Sequence, residues 1–251
     1  MELIPTQIIS NKNIAPEIFS MELKAPTISK TAKPGQFAMV YLDKGEYLLP
    51  RPISLCNTNP QKGTITIVYQ VVGNGTKVMS EKQAGQTLKI LAPLGNGFFL
   101  DNLANKNIAL IGGGIGTPPL LMLAKFLKEL NAKTDIYLGF RSHPILVEEF
   151  KPFSNNIFIA TEDGSHGHKG YNLDLLQKNQ NYDELLSCGP APMLSALKKH
   201  ALATNTPCQV SLEERMGCGI GTCVGCVVKV GESYARICCT GPIFYATEVE
   251  M

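Results

Sequence analysis

Over residues 1–100 the apolar positions alternate or fall in short unbroken runs: Gln36-Phe-Ala-Met-Val-Tyr-Leu42, Thr64-Ile-Thr-Ile-Val-Tyr-Gln-Val-Val72 and Thr87-Leu-Lys-Ile-Leu91. Turn formers separate them at Lys33-Pro-Gly35, Asp43-Lys-Gly45, Gln61-Lys-Gly63 and Gly95-Asn-Gly97. No stripe with the helical period of about 3.6 residues runs through this stretch. Short strands of this kind predict a small antiparallel barrel, whose closure removes open edges. Over 101–206 the period changes. Asn107-Ile-Ala-Leu-Ile111, Asp135–Phe140, Asn156–Thr161 and Asp183–Ser187 have the length of buried strands. Between and after them Pro118–Leu130, Ile145–Phe150 and Ala191–Ala203 read as helices. Strands alternating with helices predict a doubly wound parallel α/β sheet, which takes its ligands at the carboxyl ends of the strands.

The remaining segment, 207–251, is short of periodic signal and rich in Cys and Gly. It contains Cys218-Gly-Ile-Gly-Thr-Cys223-Val-Gly-Cys226, the C-x₄-C-x₂-C spacing of a plant-type [2Fe–2S] cluster, with further cysteines at Cys238 and Cys239. Three thiolates reaching two irons from one loop require tight backbone turns. Gly217, Gly219, Gly221 and Gly225 supply that freedom and leave amides free to face sulfur. A structural zinc site and disulfides are the alternatives, but zinc sites usually show two separate C-x₂-C pairs.

Composition narrows the setting. Hydrophobic residues make up 44%, charged residues 18%, and the net charge is +2, which argues against nucleic acid and anionic membrane surfaces as partners. No apolar run reaches the roughly 18 residues that span a bilayer. The opening Met1-Glu-Leu-Ile-Pro-Thr-Gln7 does not read as a secretory signal. With four of eight cysteines at cluster spacing, the reducing cytoplasm is the expected compartment. Cys56 and Cys208 read as small buried hydrophobes.

Candidate chemistry also marks the first two segments. Gly112-Gly-Gly-Ile-Gly116-Thr117 follows a buried strand and opens a helix, where backbone amides favour a dinucleotide's phosphates. A plain structural turn is the alternative. Glu162 and Asp163, at the next strand end, can accept ribose hydroxyls or lie in a solvated turn. Cys188-Gly189-Pro190 opens the last helix, and Cys188 is either functional or a core thiol. In the β segment Arg51 stands between prolines in Leu49-Pro-Arg51-Pro52-Ile53-Ser54-Leu55, suiting a diphosphate partner or an exposed surface. Val68-Tyr69-Gln70 offers an aromatic, and Gly73-Asn-Gly75-Thr76 a second glycine-rich loop.

The order of Arg51-Pro-Ile-Ser54, Gly75-Thr76, the Gly112–Gly116 turn, Cys188-Gly-Pro190 and the cysteine loop resembles the ferredoxin–NADP⁺ reductase superfamily. Within it the chain is most similar to the electron-transfer subunits of B-type dihydroorotate dehydrogenases, over essentially its whole length. The resemblance implies an FAD-binding barrel over 1–100, an NAD-binding domain over 101–206 and a small [2Fe–2S] domain over 207–251. Arg51 and Pro52 would hold FAD, and Ser54 would face the reacting edge of the flavin. Ile53, Val68, Tyr69, Gln70, Gly75 and Thr76 would add FAD contacts. NAD(H) would lie on Gly112, Gly113, Gly114, Gly116, Thr117, Glu162, Asp163, Gly189 and Pro190, with Cys188 beside Ser54 in catalysis. The family pattern places one cysteine shortly before Gly-Pro, which selects Cys238 over Cys239 as the fourth iron ligand after Cys218, Cys223 and Cys226. Ile53 replaces the aromatic usual in the superfamily's R-x-Y-S motif.

The function implied is transfer of electrons from FMN in a partner catalytic subunit, through [2Fe–2S] and FAD, to NAD⁺, in a heterotetramer of two of each. The FAD/[2Fe–2S] subunit of a bifurcating or sulfide-linked NAD(P)H complex shares this domain order. A non-enzymatic redox sensor is the alternative of another class.

Overall fold

The computed structural model describes residues 1–42, 47–176 and 181–250; the turn expected at Asp43-Lys44-Gly45 lies outside them. Six strands close into an antiparallel barrel: β1 (Glu2–Ala15), β2 (Ile18–Lys24), β3 (Phe37–Tyr41), β4 (Arg51–Asn59), β5 (Thr64–Gln70) and β6 (Thr87–Leu94). They pair in the order β1-β2-β5-β4-β3-β6. Alternation fixes their register. In β6, Leu88, Ile90 and Ala92 turn inward to a core shared with Met21, Leu23, Ile65 and Ile67, while Thr87 and Lys89 stay outside. Each large apolar side chain buried this way contributes about 1.5–3 kcal/mol, and a one-residue slip would expose the whole set. Two helices the sequence did not announce, Pro26–Thr31 and Asn74–Ser80, are too short to display a period.

The second sheet holds seven strands in the order β10-β9-β8-β7-β11-β12-β15. These are β7 (Asn107–Gly113), β8 (Lys133–Phe140), β9 (Asn156–Thr161), β10 (His168–Lys169), β11 (Glu184–Cys188), β12 (Cys208–Ser211) and β15 (Ile243–Tyr245). All neighbours run parallel except β15, which is antiparallel to β12. Both faces are covered. Ile108 and Leu110 of β7 share one core with the helix Pro119–Glu129, and Ala109 and Ile111 share the other with the helix Ala191–Thr204. A strand buried on both faces reads as an unbroken apolar run, as β7 does.

The boundary expected after residue 206 runs through this sheet. β12 and β15 lie in the segment assigned to the terminal domain, and 212–242 and 246–250 stand outside the sheet, around the hairpin β13 (Val227–Val230) and β14 (Ser233–Arg236). Nor do the three segments keep separate cores. Cys56 and Val68 of the barrel pack with Leu120 and Leu121, and Phe37, Met39 and Leu94 pack with Cys226, Ile237 and Cys238. Polar ties reinforce both seams. Lys125 Nζ donates to Asn57 Oδ1 at 3.2 Å, and the Asn96 amide donates to the Gly241 carbonyl at 2.6 Å.

Gln209, fully buried in β12, bridges the chain leaving the barrel to the sheet. Its Oε1 accepts from the Phe99 amide at 2.8 Å, and its Nε2 donates to the Phe99 carbonyl at 2.9 Å and to Glu184 Oε1 at 2.6 Å. Gln209→Ala leaves these buried groups unpaired, so stability should fall by about 1–3 kcal/mol. A lower urea midpoint with an unchanged slope would register that loss; an unmoved midpoint would show that water replaces the amide.

Candidate functional site

β4, β5 and the sheet's carboxyl edge enclose a cleft of about 400 Å³. Arg51, Pro52, Ile53, Ser54, Val68, Tyr69, Gln70 and Thr76 line it. Arg51 and Gly75 explain one another. A Cβ on Gly75 would land inside the Arg51 guanidinium, which also donates to the Leu49 carbonyl and lies 5.2 Å from the Tyr47 ring centre. A cation is thus held over a backbone stripped of side chain, with the loop behind it fixed by Thr76. That hydroxyl donates to the Gly73 carbonyl at 3.1 Å and accepts from the Val72 amide at 3.0 Å. Tyr69 departs from expectation. Its ring packs inside the barrel against Phe19, and its hydroxyl donates to Asn11 Oδ1 at 3.1 Å, so it offers the cleft no aromatic face.

A second crevice of about 620 Å³ opens where the strand order reverses beside β7. Register aligns the strand ends there: Cys188 of β11 lies between Gly112 of β7 and Ser211 of β12. Gly113, Gly114, Glu162 and Pro190 line the crevice. The glycines serve two purposes. A Cβ on Gly116 would meet Gly189 Cα at 2.6 Å, and one on Gly113 would meet Pro190 Cδ at 2.8 Å, so these two let the turns pack together. Gly114 has open space above it at φ +51°, and is the position a ligand can approach closely.

Three predicted residues stand outside the crevice lining. Thr117 is fully buried with its hydroxyl unpartnered, outside the crevice lining. Asp163 caps its own turn: its Oδ1 accepts from the Ser165 amide and hydroxyl, bonds that hold its carboxyl below the ordinary range. Cys188 is 1% exposed, and burial, with Glu213 nearby, pushes its thiol up to about 12. It is a buried thiol at the sheet edge, protonated at neutral pH. Sequence reasoning missed Arg141, Asn172 and Met193, all in the lining. Asn172 is buried and donates to the Gly112 carbonyl at 2.9 Å, a contact across 60 residues that no local pattern reports.

The cysteine loop folds as its spacing requires, with positive φ at Gly219, Gly221 and Val224. The Ile220 and Cys223 amides donate to Cys218 Sγ at 3.4 Å, and the Cys238 amide donates to Cys226 Sγ at 3.5 Å. Desolvation raises the Cys218 thiol, but those amides together with the Cys223 side chain and the Thr222 amide bring it down to about 6. Among the described residues no three His, Cys, Asp or Glu side chains gather on one point. Cys218 with Cys223, and Cys226 with Cys238, instead form two pairs, which fits two irons. Cys226 and Cys238 are buried, while Cys223 is exposed. The loop abuts the barrel: a Cβ on Gly219 would meet Met39 Cγ at 2.5 Å. The residues flanking it, Glu213 and Met216 before and Pro242 after, line the first cleft, which the sequence did not announce. Desolvation raises the Glu213 carboxyl, although the residue as a whole keeps much of its surface.

Residues 213–250 match the family described as the iron–sulfur cluster binding domain of dihydroorotate dehydrogenase B. The electron transfer subunit of dihydroorotate dehydrogenase B (NAD(+)) from Geobacillus sp. (strain WCH70) is 40% identical, over 96% of each chain. The chain belongs to the family of dihydroorotate dehydrogenase B electron transfer subunits. The corresponding subunit of Fusobacterium nucleatum subsp. nucleatum is 37% identical over the full length of both chains. Among solved structures, one described under flavin-based electron bifurcation by an NADH-dependent reduced ferredoxin–NADP oxidoreductase superposes with a TM-score of 0.89. It is 33% identical and covers 98% of this chain and 89% of that one. Phthalate dioxygenase reductase shares the fold at a TM-score of 0.66, with 20% identity and coverage of 91% and 86%.

In this chain the two kinds of cysteine should separate by alkylation. The thiolate is the reactive form, so in the iron-free chain iodoacetamide labelling of Cys218 should rise through about pH 6. Cys188 should stay unlabelled up to roughly pH 10 until the chain is unfolded. Mass spectrometry reads both; early labelling of Cys188 would restore it as a reactive group.

Proposed function

We propose that this chain is the electron-transfer subunit of an NAD-dependent dihydroorotate dehydrogenase serving pyrimidine biosynthesis. It takes electrons from FMN in a partner catalytic subunit and delivers them through [2Fe–2S] and FAD to NAD⁺. The observation that carries this reading is adjacency. The segments flanking the cysteine loop, the Arg51–Ser54 strand and the glycine turn, through Ile115, all border one cleft. When bound there, FAD supplies the conversion between single electrons and a hydride.

The residues present fit these groups. Arg51 over Gly75 can take the diphosphate of FAD, with Ser54 on the same strand facing the cleft. Gly114, Glu162 and Pro190 line the crevice that would receive NAD(H). Cys218, Cys223, Cys226 and Cys238 would hold the cluster. Next to exposed Cys223, Ile220 and Val224 keep 47% and 59% of their surface, so the cluster's outer edge offers an apolar face to the catalytic partner, in an assembly of two of each subunit. Four of eight cysteines committed to a cluster would suit a reducing cytoplasm. The 33% identical bifurcating relative supports a second reading, the FAD/[2Fe–2S] subunit of such a complex. The protein that co-purifies with the native chain separates the two.

Arg51→Ala should lower the flavin-to-protein ratio after dialysis, because it removes a charge-assisted bond worth about 1.5–3 kcal/mol. Gly75→Ala, which displaces the same guanidinium, should do so equally, and the double variant no further. Additive losses would mean that the two positions act separately.

Cys223→Ser should abolish dihydroorotate-dependent NAD⁺ reduction in the reconstituted complex and spare much of the NADH–dye activity of the chain alone. Full coupling in that variant would take the cluster off the electron path.

A further inference from the structure

Cys239 belongs to none of the sites assigned above. It follows Cys238 in the short helix Ile237–Thr240, yet its side chain does not leave the cluster loop. Its Sγ lies 3.7 Å from Cys238 Sγ, and it occupies the space beside Gly221, where a Cβ would approach it to 2.5 Å. Gly221 therefore lacks a side chain for two reasons: its φ of +83°, and the sulfur of Cys239 pressed against it. Arg236 Nη1 donates to the Gly221 carbonyl at 2.8 Å and clamps the loop over that sulfur.

Between two thiols either sulfur could donate. With Cys238 bound to iron as a thiolate, only Cys239 has an S–H left to give. The geometry points to Cys239 as a tuning residue, donating a hydrogen bond to the ligand sulfur of Cys238 and so favouring the reduced cluster. Reduction adds negative charge to the cluster and its thiolates, so a donor aimed at a ligand sulfur stabilises the reduced form more than the oxidised one. No proton or electron passes through Cys239; it shifts the equilibrium of a one-electron step supplied by the partner. Burial of Cys238 strengthens the effect, because water does not compete for its sulfur.

This inference rests on the cluster reading, and one experiment on the full chain separates their failures. Iron content and the rhombic electron paramagnetic resonance signal of a reduced [2Fe–2S] centre are measured for the parent, Cys239→Ala and Cys239→Ser, followed by a redox titration of each signal. Cys239→Ala should keep two irons per chain and the signal. At a fixed applied potential its reduced-to-oxidised ratio should fall about three- to tenfold, tenfold corresponding to 59 mV for one electron. Cys239→Ser, which retains a donor, should recover at least half of that shift on the potential scale. An unchanged ratio in Cys239→Ala, or an equal fall in both variants, would reduce Cys239 to a packing residue and overturn the inference. Loss of iron from Cys239→Ala would make Cys239 a ligand and also overturn it. A parent chain without iron would end the cluster reading itself.

Discussion

Everything in the site hangs from one register, the alignment of Gly112, Cys188 and Ser211 across three parallel strands. The glycine turn, the Cys-Gly-Pro turn and the chain leading to the cysteine loop all leave the sheet at that edge. Parallel pairing is slanted and evenly spaced, so fixing one pair fixes the height of all three departures. The turns then meet backbone to backbone, which Gly116 and Gly189 allow and any side chain would prevent. A sheet edge tolerates irregular backbone because ligands and loops can satisfy it, and doubly wound sheets bind there for that reason.

Much of this arrangement was legible in the sequence. The barrel strands β3, β5 and β6 and the helices Pro119–Glu129 and Ala191–Thr204 follow local periodicity, which a linear pattern records, whereas β1, β2 and β4 were not read as strands. The cysteine loop is legible for a different reason: tight turns and sulfur-directed amides demand Gly and Cys at fixed short spacing. What escaped is set by distance along the chain. β15 joins the sheet through a three-residue run that carries no signal by itself. Asn172 and Glu213 reach their positions only after elements far apart have packed. Tyr69, Thr117 and Asp163 sit in the right segments but point their polar atoms at the protein, since neighbouring positions of a strand or turn face opposite ways.

Glycine carries several meanings along this chain, and separating them changes what the motifs imply. Gly114 keeps space open. Gly113 and Gly116 are there because another turn lies against them, and Gly75 because an arginine does. A glycine-rich run is thus partly a record of intramolecular contact. That is why the run from Gly112 to Gly116 departs from a strict dinucleotide fingerprint and still builds a crevice.

The segment 212–242 leaves the sheet from β12 and returns through β15, and these two strands are hydrogen-bonded neighbours. The cysteine loop is therefore a cassette with both ends clamped on adjacent rungs of a finished ladder. Closing such a loop costs chain entropy that grows only slowly with its length, so the β12–β15 pairing can carry the whole segment. The fold can in this way add an electron relay to a flavin reductase without rebuilding either the barrel or the sheet.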